Sequence, residues 1–365
     1  VQIEKYVRID MKRFGAYSPC QSPDVAARRL GLPEKEILKL DANENPYGCS
    51  PRVRKALAAY PYLNLYPDAA QTELRDALAG YVGLGPEYLV AGNGSDEIID
   101  LLIRAFLKVG DEVISAVPTF DMYRFCTAVC RGRTVQVGRE ADFRVKAAAV
   151  KAAISPKTRL IFLANPNNPT GTLLEPGQID ELLETGLPLV IDEAYYEFSG
   201  KTLVKKVPRQ PNLIVLRTFS KWAGLAGLRV GYGVMAPVLA DVLLKIKPPY
   251  NVNMAAMLAA RESLKDREYL LGTVAKMIEE RGRLFKALKK ITFLRPTPSS
   301  ANFILCEVVR GEAPEIQTAL EKRGILIRYY ATPLLKNYIR ISVGKPEHTD
   351  RVVAALHELG EAVHG

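Results

Sequence analysis

A chain of 365 residues, 48% of them hydrophobic, is long enough for one large domain and a smaller one. No apolar run approaches the roughly 18 residues that span a bilayer, and the opening VQIEKYVRIDMKRF is too charged for a secretory signal. The formal charge of +10 comes from scattered Lys and Arg with no recognition motif, which sets nucleic acid aside and suggests a surface that attracts small anions.

Residues 1–45 constrain little and are expected to form an arm packed on the smaller domain. Seven strand-like runs then cross the middle of the chain: YLVAGNG (88–94), DEVISAV (111–117), RTVQVG (133–138), TRLIFLANP (158–166), LPLVIDEAY (187–195), NLIVLRTFS (212–220) and RVGYGVM (229–235). Helices separate several of them. In DEIIDLLIRAFLKVG (96–110), Ile98, Leu101, Leu102 and Ala105 recur at helical spacing, and Gly110 supplies the stop. Continuous apolar strands alternating with helices define an α/β fold with a mostly parallel seven-stranded sheet, in a large domain over 46–248. Past Pro248 and Pro249 a long helical stretch is expected from about Asn253 to Lys290. ITFLRP (291–296), ANFILCEV (301–308), ILIRYY (325–330) and YIRISVG (338–344) follow, with two more helices, as a smaller α+β domain over 249–365. The five cysteines are odd in number and lack metal-ligand spacing, which suggests reduced thiols in a cytoplasmic protein. The three histidines, all near the C-terminus, form no zinc pattern.

Four motifs end or follow predicted strands: GNGSDEI (92–98), ANPNNPTG (164–171), VIDEAYYEF (190–198) and TFSKWAGLAGLRVGY (218–232). Open parallel sheets bind ligands beyond the carboxyl ends of their strands. Ser95, Asn168, Asp192 and Lys221 are therefore expected to converge on one sheet edge. A lysine that attacks an aldehyde must be partly neutral, and burial or a cation such as Arg229 lowers its pKa; Lys221 fits that role. Thr218, Ser220 and Arg229 offer two hydroxyls and a guanidinium to a phosphate dianion, and Ser95 would add N–H groups at a helix N-terminus. Asp192 ends an apolar strand, where a carboxylate is costly unless paired; a protonated ring nitrogen suits it. Asn168 and Tyr195 can hydrogen-bond a ring oxygen, and Phe120 can stack on a ring face. These demands together describe a pyridoxal 5'-phosphate (PLP) site. Plainer readings stand beside them: a turn for Asn168, core packing for Phe120, helix capping for Asp96 and Glu97. Glu97 occupies the place of the third glycine of a dinucleotide fingerprint, which counts against a nicotinamide-dependent oxidoreductase. Arg340 lies mid-strand in an apolar run, as a carboxylate clamp would. Arg328, on a neighbouring strand, is either a second anion holder or a surface ion pair.

With LDANENPYG (40–48) and NLYPD (64–68) added, the chain resembles the class II aminotransferases of PLP fold type I, and among them the histidinol-phosphate aminotransferase family, from about Tyr17 to Gly344. The resemblance implies roles. Lys221 would be the Schiff-base lysine and proton shuttle, Asp192 the partner of the ring nitrogen, and Tyr195 with Asn168 the partners of the ring hydroxyl. Ser95, Asp96 (through its backbone), Thr218, Ser220 and Arg229 would surround the cofactor phosphate, and Phe120 would stack on the ring. Arg340 would clamp the substrate α-carboxylate, while Tyr17 and Arg328 would meet a substrate phosphate. Tyr66 would reach the cofactor phosphate of a neighbouring subunit, implying a homodimer with shared active sites. The implied reaction is a ping-pong transamination in which glutamate donates and imidazole acetol phosphate accepts, giving L-histidinol phosphate and 2-oxoglutarate. The run RYYATPLLKNYIR (328–340) departs from the commoner acidic pattern after that arginine. It resembles a branch in which aromatic amino acids are less clearly separated from histidinol phosphate, so an aromatic-amino-acid or dual-specificity aminotransferase is the alternative.

Overall fold

The computed structural model describes residues 2–12 and 19–362, which leaves Tyr17 outside. Its strands in chain order are β1 (Leu38–Leu40), β2 (Leu89–Gly92), β3 (Glu112–Val117), β4 (Arg133–Gly138), β5 (Thr158–Ala164), β6 (Leu189–Asp192), β7 (Leu213–Thr218), β8 (Gly231–Val234), β9 (Leu294–Pro296), β10 (Phe303–Val308), β11 (Ile325–Tyr329) and β12 (Tyr338–Ser342). The seven middle strands make one sheet in the order β2-β8-β7-β6-β5-β3-β4. Strands β3 to β7 run parallel, and β8 runs against both neighbours. The mostly parallel seven-stranded sheet is thus the one its apolar runs announced. Both faces are covered. Leu189, Ile191, Leu213 and Val215 enter one hydrophobic cluster, and Val190, Ile214 and Leu216 enter a second. Two buried faces remove any need for polar alternation along the strands.

The second sheet has the order β1-β11-β12-β10-β9. Strand β1 joins it in parallel with β11, pairing Leu38 with Ile325 and Leu40 with Ile327. Three residues are too few for a periodic signal, so this strand was not expected from the sequence.

Two helices differ from expectation. The helix after β2 runs Ser95–Phe106 and buries Ile103 where Ala105 was expected; Ala105 is exposed. It ends before Gly110 because the Asp111 carboxylate accepts from the Lys108 N–H at 2.9 Å and organises the turn. The long helical stretch is two helices, Met254–Lys265 and Arg267–Leu288. Asp266 between them leaves helical geometry, and its carboxylate accepts from the Ser50 hydroxyl.

Strand register places the site. Ala164 pairs with Asp192, Asp192 with Leu216, and Thr218 with Gly231, so the carboxyl ends of β5, β6 and β7 finish side by side.

Candidate active site

A cleft of about 1800 Å³ opens at that edge and is closed on its other side by β11, β12 and the segment after β1. Ser95, Asp96, Phe120, Asn168, Asp192, Tyr195, Thr218, Ser220, Lys221, Arg229, Arg328 and Arg340 all line it. They come from seven separate stretches of the chain, which only the sheet topology brings together.

One end of the cleft is built from donors. Ser95 is the first residue of a twelve-residue helix, where backbone N–H groups lack intrahelical partners. Thr218 Oγ1 lies 2.9 Å from Ser220 Oγ, and both residues are buried. Arg229, held in the left-handed region at φ 53, places its guanidinium 2.8 Å from the Asp96 carboxylate and 3.4 Å from Ser220 Oγ. Asp96 therefore contributes its side chain, by pairing Arg229, besides the backbone role expected of it. A Cβ on Gly231 would stand 2.5 Å from Ser95 N, and one on Gly94 would stand 2.6 Å from the Arg229 guanidinium. Two glycines thus let strand, helix end and arginine converge on a space that suits a phosphate group.

Lys221 lines the cleft, and its Nζ donates to the Ala42 carbonyl at 3.0 Å. Burial pushes its pKa down to about 8, with Arg340 and Arg229 adding to the effect and Glu44 opposing it. Arg340 thus outweighs the Arg229 cation singled out from the sequence. Asp192 is 5% exposed at the end of β6. Burial raises its pKa to about 6, against two donors: the Tyr123 hydroxyl at 2.6 Å on Oδ2 and the Ala194 N–H at 3.0 Å on Oδ1. Tyr123 is fully buried, stacked on Phe162 with centroids 4.9 Å apart and edge-on to Phe120 at 5.8 Å. Its side chain carried no sequence signal, since an aromatic on a helix reads as core. The Tyr195 hydroxyl accepts from Asn43 Nδ2 at 2.9 Å.

Opposite the sheet edge, Arg340 donates to Asn168 Oδ1 at 2.6 Å and to the Asp41 carbonyl at 2.5 Å. Its Nε is buried without a protein partner, a donor held ready in a 5%-exposed side chain. Arg328 Nη1 lies 3.6 Å from Cys20 Sγ. Three successive carbonyls after β1 are engaged: Asp41 by Arg340, Ala42 by Lys221 and Asn43 by Asn302. Sequence reasoning noticed LDANENPYG but gave this loop no chemical part.

Behind the cleft, Glu193 and Arg217 pair at 3.0 Å with side chains almost wholly buried, and Arg217 stacks over the Tyr196 ring at 3.7 Å. Each adjoins a cleft residue in the chain, Asp192 and Thr218. Glu197 accepts from Tyr81, whose ring stacks on Trp222 next to Lys221. Burial raises the Glu197 pKa to about 7.

Tyr66 stands apart. It is 80% exposed and stacks on Tyr250 with centroids 4.4 Å apart, outside the cleft of its own chain.

The donor set fits PLP: grouped donors around Ser95 and Arg229, a lysine with depressed pKa and a buried carboxylate line one cleft. The profile of the class I and II aminotransferases matches residues 35–356, and the chain belongs to that family. Its curated relatives narrow the assignment to the histidinol-phosphate aminotransferases. That of Dehalococcoides mccartyi is 51% identical over 98% of this chain and 99% of its own. The chloroplastic one of Nicotiana plumbaginifolia is 43% identical over 97% and 86%. Among solved structures, histidinol-phosphate aminotransferase from Sinorhizobium meliloti in complex with pyridoxal-5'-phosphate superposes with TM-score 0.87 at 28% identity, covering 98% of each chain.

Proposed function

We propose that this chain is a PLP-dependent histidinol-phosphate transaminase, which moves the amino group of L-glutamate to imidazole acetol phosphate in L-histidine biosynthesis. The observation that carries this reading is the convergence, in one cleft, of a lysine with pKa near 8, a buried carboxylate and two arginines on adjacent strands. When bound, PLP supplies an electrophilic carbonyl and a ring that withdraws electrons from the substrate Cα.

The protein's own groups do the rest. The donors at Ser95, Thr218, Ser220 and Arg229 would hold the cofactor phosphate. Asp192, whose charge burial disfavours, gains a partner from a cationic ring nitrogen and would keep that nitrogen protonated. Phe120 would cover one ring face. Lys221 Nζ, with a pKa close to working pH, is matched to accepting and returning the Cα proton. Arg340 would exchange the Asp41 carbonyl for the substrate carboxylate, bringing its orphaned Nε into use. Arg328 would read the substrate phosphate.

The reading includes a homodimer. An exposed apolar run, Tyr62, Leu63, Leu65 and Tyr66, gives a second copy something to cover. It also includes a cytoplasmic setting, in keeping with the free thiols of all five cysteines. Among the described residues no helix is long and apolar enough to cross a membrane.

The deciding experiment titrates the PLP-loaded protein with L-histidinol phosphate and with L-phenylalanine while the cofactor's visible band is followed. Bleaching by histidinol phosphate at far lower concentration is expected. Equal or better bleaching by phenylalanine would replace this reading with that of an aromatic aminotransferase.

A further inference from the structure

Asn43 follows β1 in the left-handed region, at φ 56, and is 1% exposed. Its backbone N–H donates to Ser342 Oγ at 2.9 Å. That leaves the Ser342 hydroxyl proton to be donated, and it goes to Asn43 Oδ1, again at 2.9 Å. With Oδ1 fixed as the acceptor, the Nδ2 end of the amide points at Tyr195 and donates to its hydroxyl oxygen at 2.9 Å. Turning the amide over would set Nδ2 against a serine oxygen that already accepts, and would strand the serine proton in a buried place. Tyr195 has a single proton. Its oxygen is occupied by Asn43, and among the described residues no protein group takes the proton, which is left to face the cleft.

We propose that Ser342 and Asn43 form a polarity relay that aims the Tyr195 O–H at the ring oxygen of the bound cofactor, which makes both positioning residues for amino transfer. The proposal rests on the PLP reading above. The placement favours it. Ser342 lies two residues beyond Arg340 on β12, so one strand face carries both the carboxylate clamp and the start of the relay. Asn302 Nδ2 holds the Asn43 carbonyl at 2.9 Å and keeps the loop from turning. Burial keeps the Tyr195 phenol protonated, as a donor must be, although Arg340 and the Asn43 hydrogen bond oppose that effect.

A donor aimed at the ring oxygen favours its ionised form. Losing the donor therefore raises the pH at which the bound cofactor changes colour. The test is a pH titration of visible absorption on the PLP-loaded protein, together with the Kd of the PLP-free protein for PLP. Tyr195→Phe sets the reference, an upward shift of about one pH unit, a tenfold change in proton affinity. Asn43→Gly, which tolerates the positive φ, should reproduce that shift and weaken PLP binding. Ser342→Ala should move the midpoint the same way, and Ser342→Thr, which restores the hydroxyl, should return it to the wild-type value. If Tyr195→Phe shifts the midpoint while Asn43→Gly and Ser342→Ala leave it in place, the relay is overturned. If Tyr195→Phe itself shifts nothing, Tyr195 does not contact the cofactor, and the underlying site assignment fails with the relay.

Discussion

Arg328 and Arg340 pair directly across the antiparallel ladder of β11 and β12. The Tyr330 ring stands 5.5 Å from the first guanidinium and 5.8 Å from the second. Like charges opposite each other on a sheet repel, and an anionic group set against each guanidinium would ease that repulsion. Arg328→Ala should therefore lower kcat/KM for histidinol phosphate at least a hundredfold, about 3 kcal/mol for a lost charge-assisted contact. The loss for phenylalanine should be under tenfold. Steady-state kinetics on both substrates check this, and equal losses would remove Arg328 from phosphate recognition.

Lys221 makes a pH prediction. Its pKa is depressed from 10.5 to about 8 in the folded protein. The reactive neutral form therefore grows as pH rises and levels off above about 8. The rate at which PLP-free protein takes up PLP should rise about tenfold per unit from pH 6 to 7 and flatten past 8. Stopped-flow absorbance measures it, and a rate still climbing steeply at pH 10 would show an unperturbed lysine. Lys221→Ala should abolish both the covalent attachment of PLP and turnover.

Asp192 should reveal a conflict between stability and activity. Its folded pKa, about 6, lies above the unfolded value. Ionisation is thus disfavoured on folding, with a cost fully present above about pH 6 and gone below about pH 4. Asp192→Asn should stabilise the PLP-free protein by about 3 kcal/mol at pH 8 and by nothing near pH 4. Turnover should fall by several orders of magnitude. Urea melts at the two pH values, beside activity, test both halves; an unchanged midpoint at pH 8 would mean the carboxylate is adequately solvated.

Gly231 tests the proposed phosphate cradle. An alanine there would force its Cβ to 2.5 Å from Ser95 N and 2.8 Å from the Arg217 carbonyl, both backbone atoms. Separating β8 from the helix end should weaken PLP binding more than tenfold, in keeping with overpacking costs of about 1–3 kcal/mol. Equilibrium dialysis with PLP measures it, and wild-type affinity would show the cradle has slack.

Much of this architecture was legible in the chain because its signals are local. The central runs of the large sheet, such as those of β5, β6 and β7, are nearly continuous and apolar, and each motif that ends a strand keeps its polar residue where the strand stops, as Asp192 does. What stayed hidden depends on distant partners. Asn43 belonged to a noticed motif, but its amide gains meaning only from Ser342, 299 positions later. Tyr123 looks like any core aromatic until Asp192 is set 2.6 Å from its hydroxyl. Ala105 matched the helical period yet faces solvent, because Ile103 packs under the sheet in its stead. Tyr66 read as a cofactor contact only by family likeness, and within one chain it meets Tyr250.

The pleat at β6 and β7 has a bearing on how such a chain can change over generations. Asp192 and Glu193 are consecutive, as are Arg217 and Thr218. One of each pair faces the cleft, and the other joins the buried ion pair behind it. Inserting or deleting one residue in either strand would trade the two sets, sending the ion pair into the pocket and the ligand contacts out of it. Descendants of this sequence can lengthen or trim their loops, but these two strands admit only replacement, residue for residue.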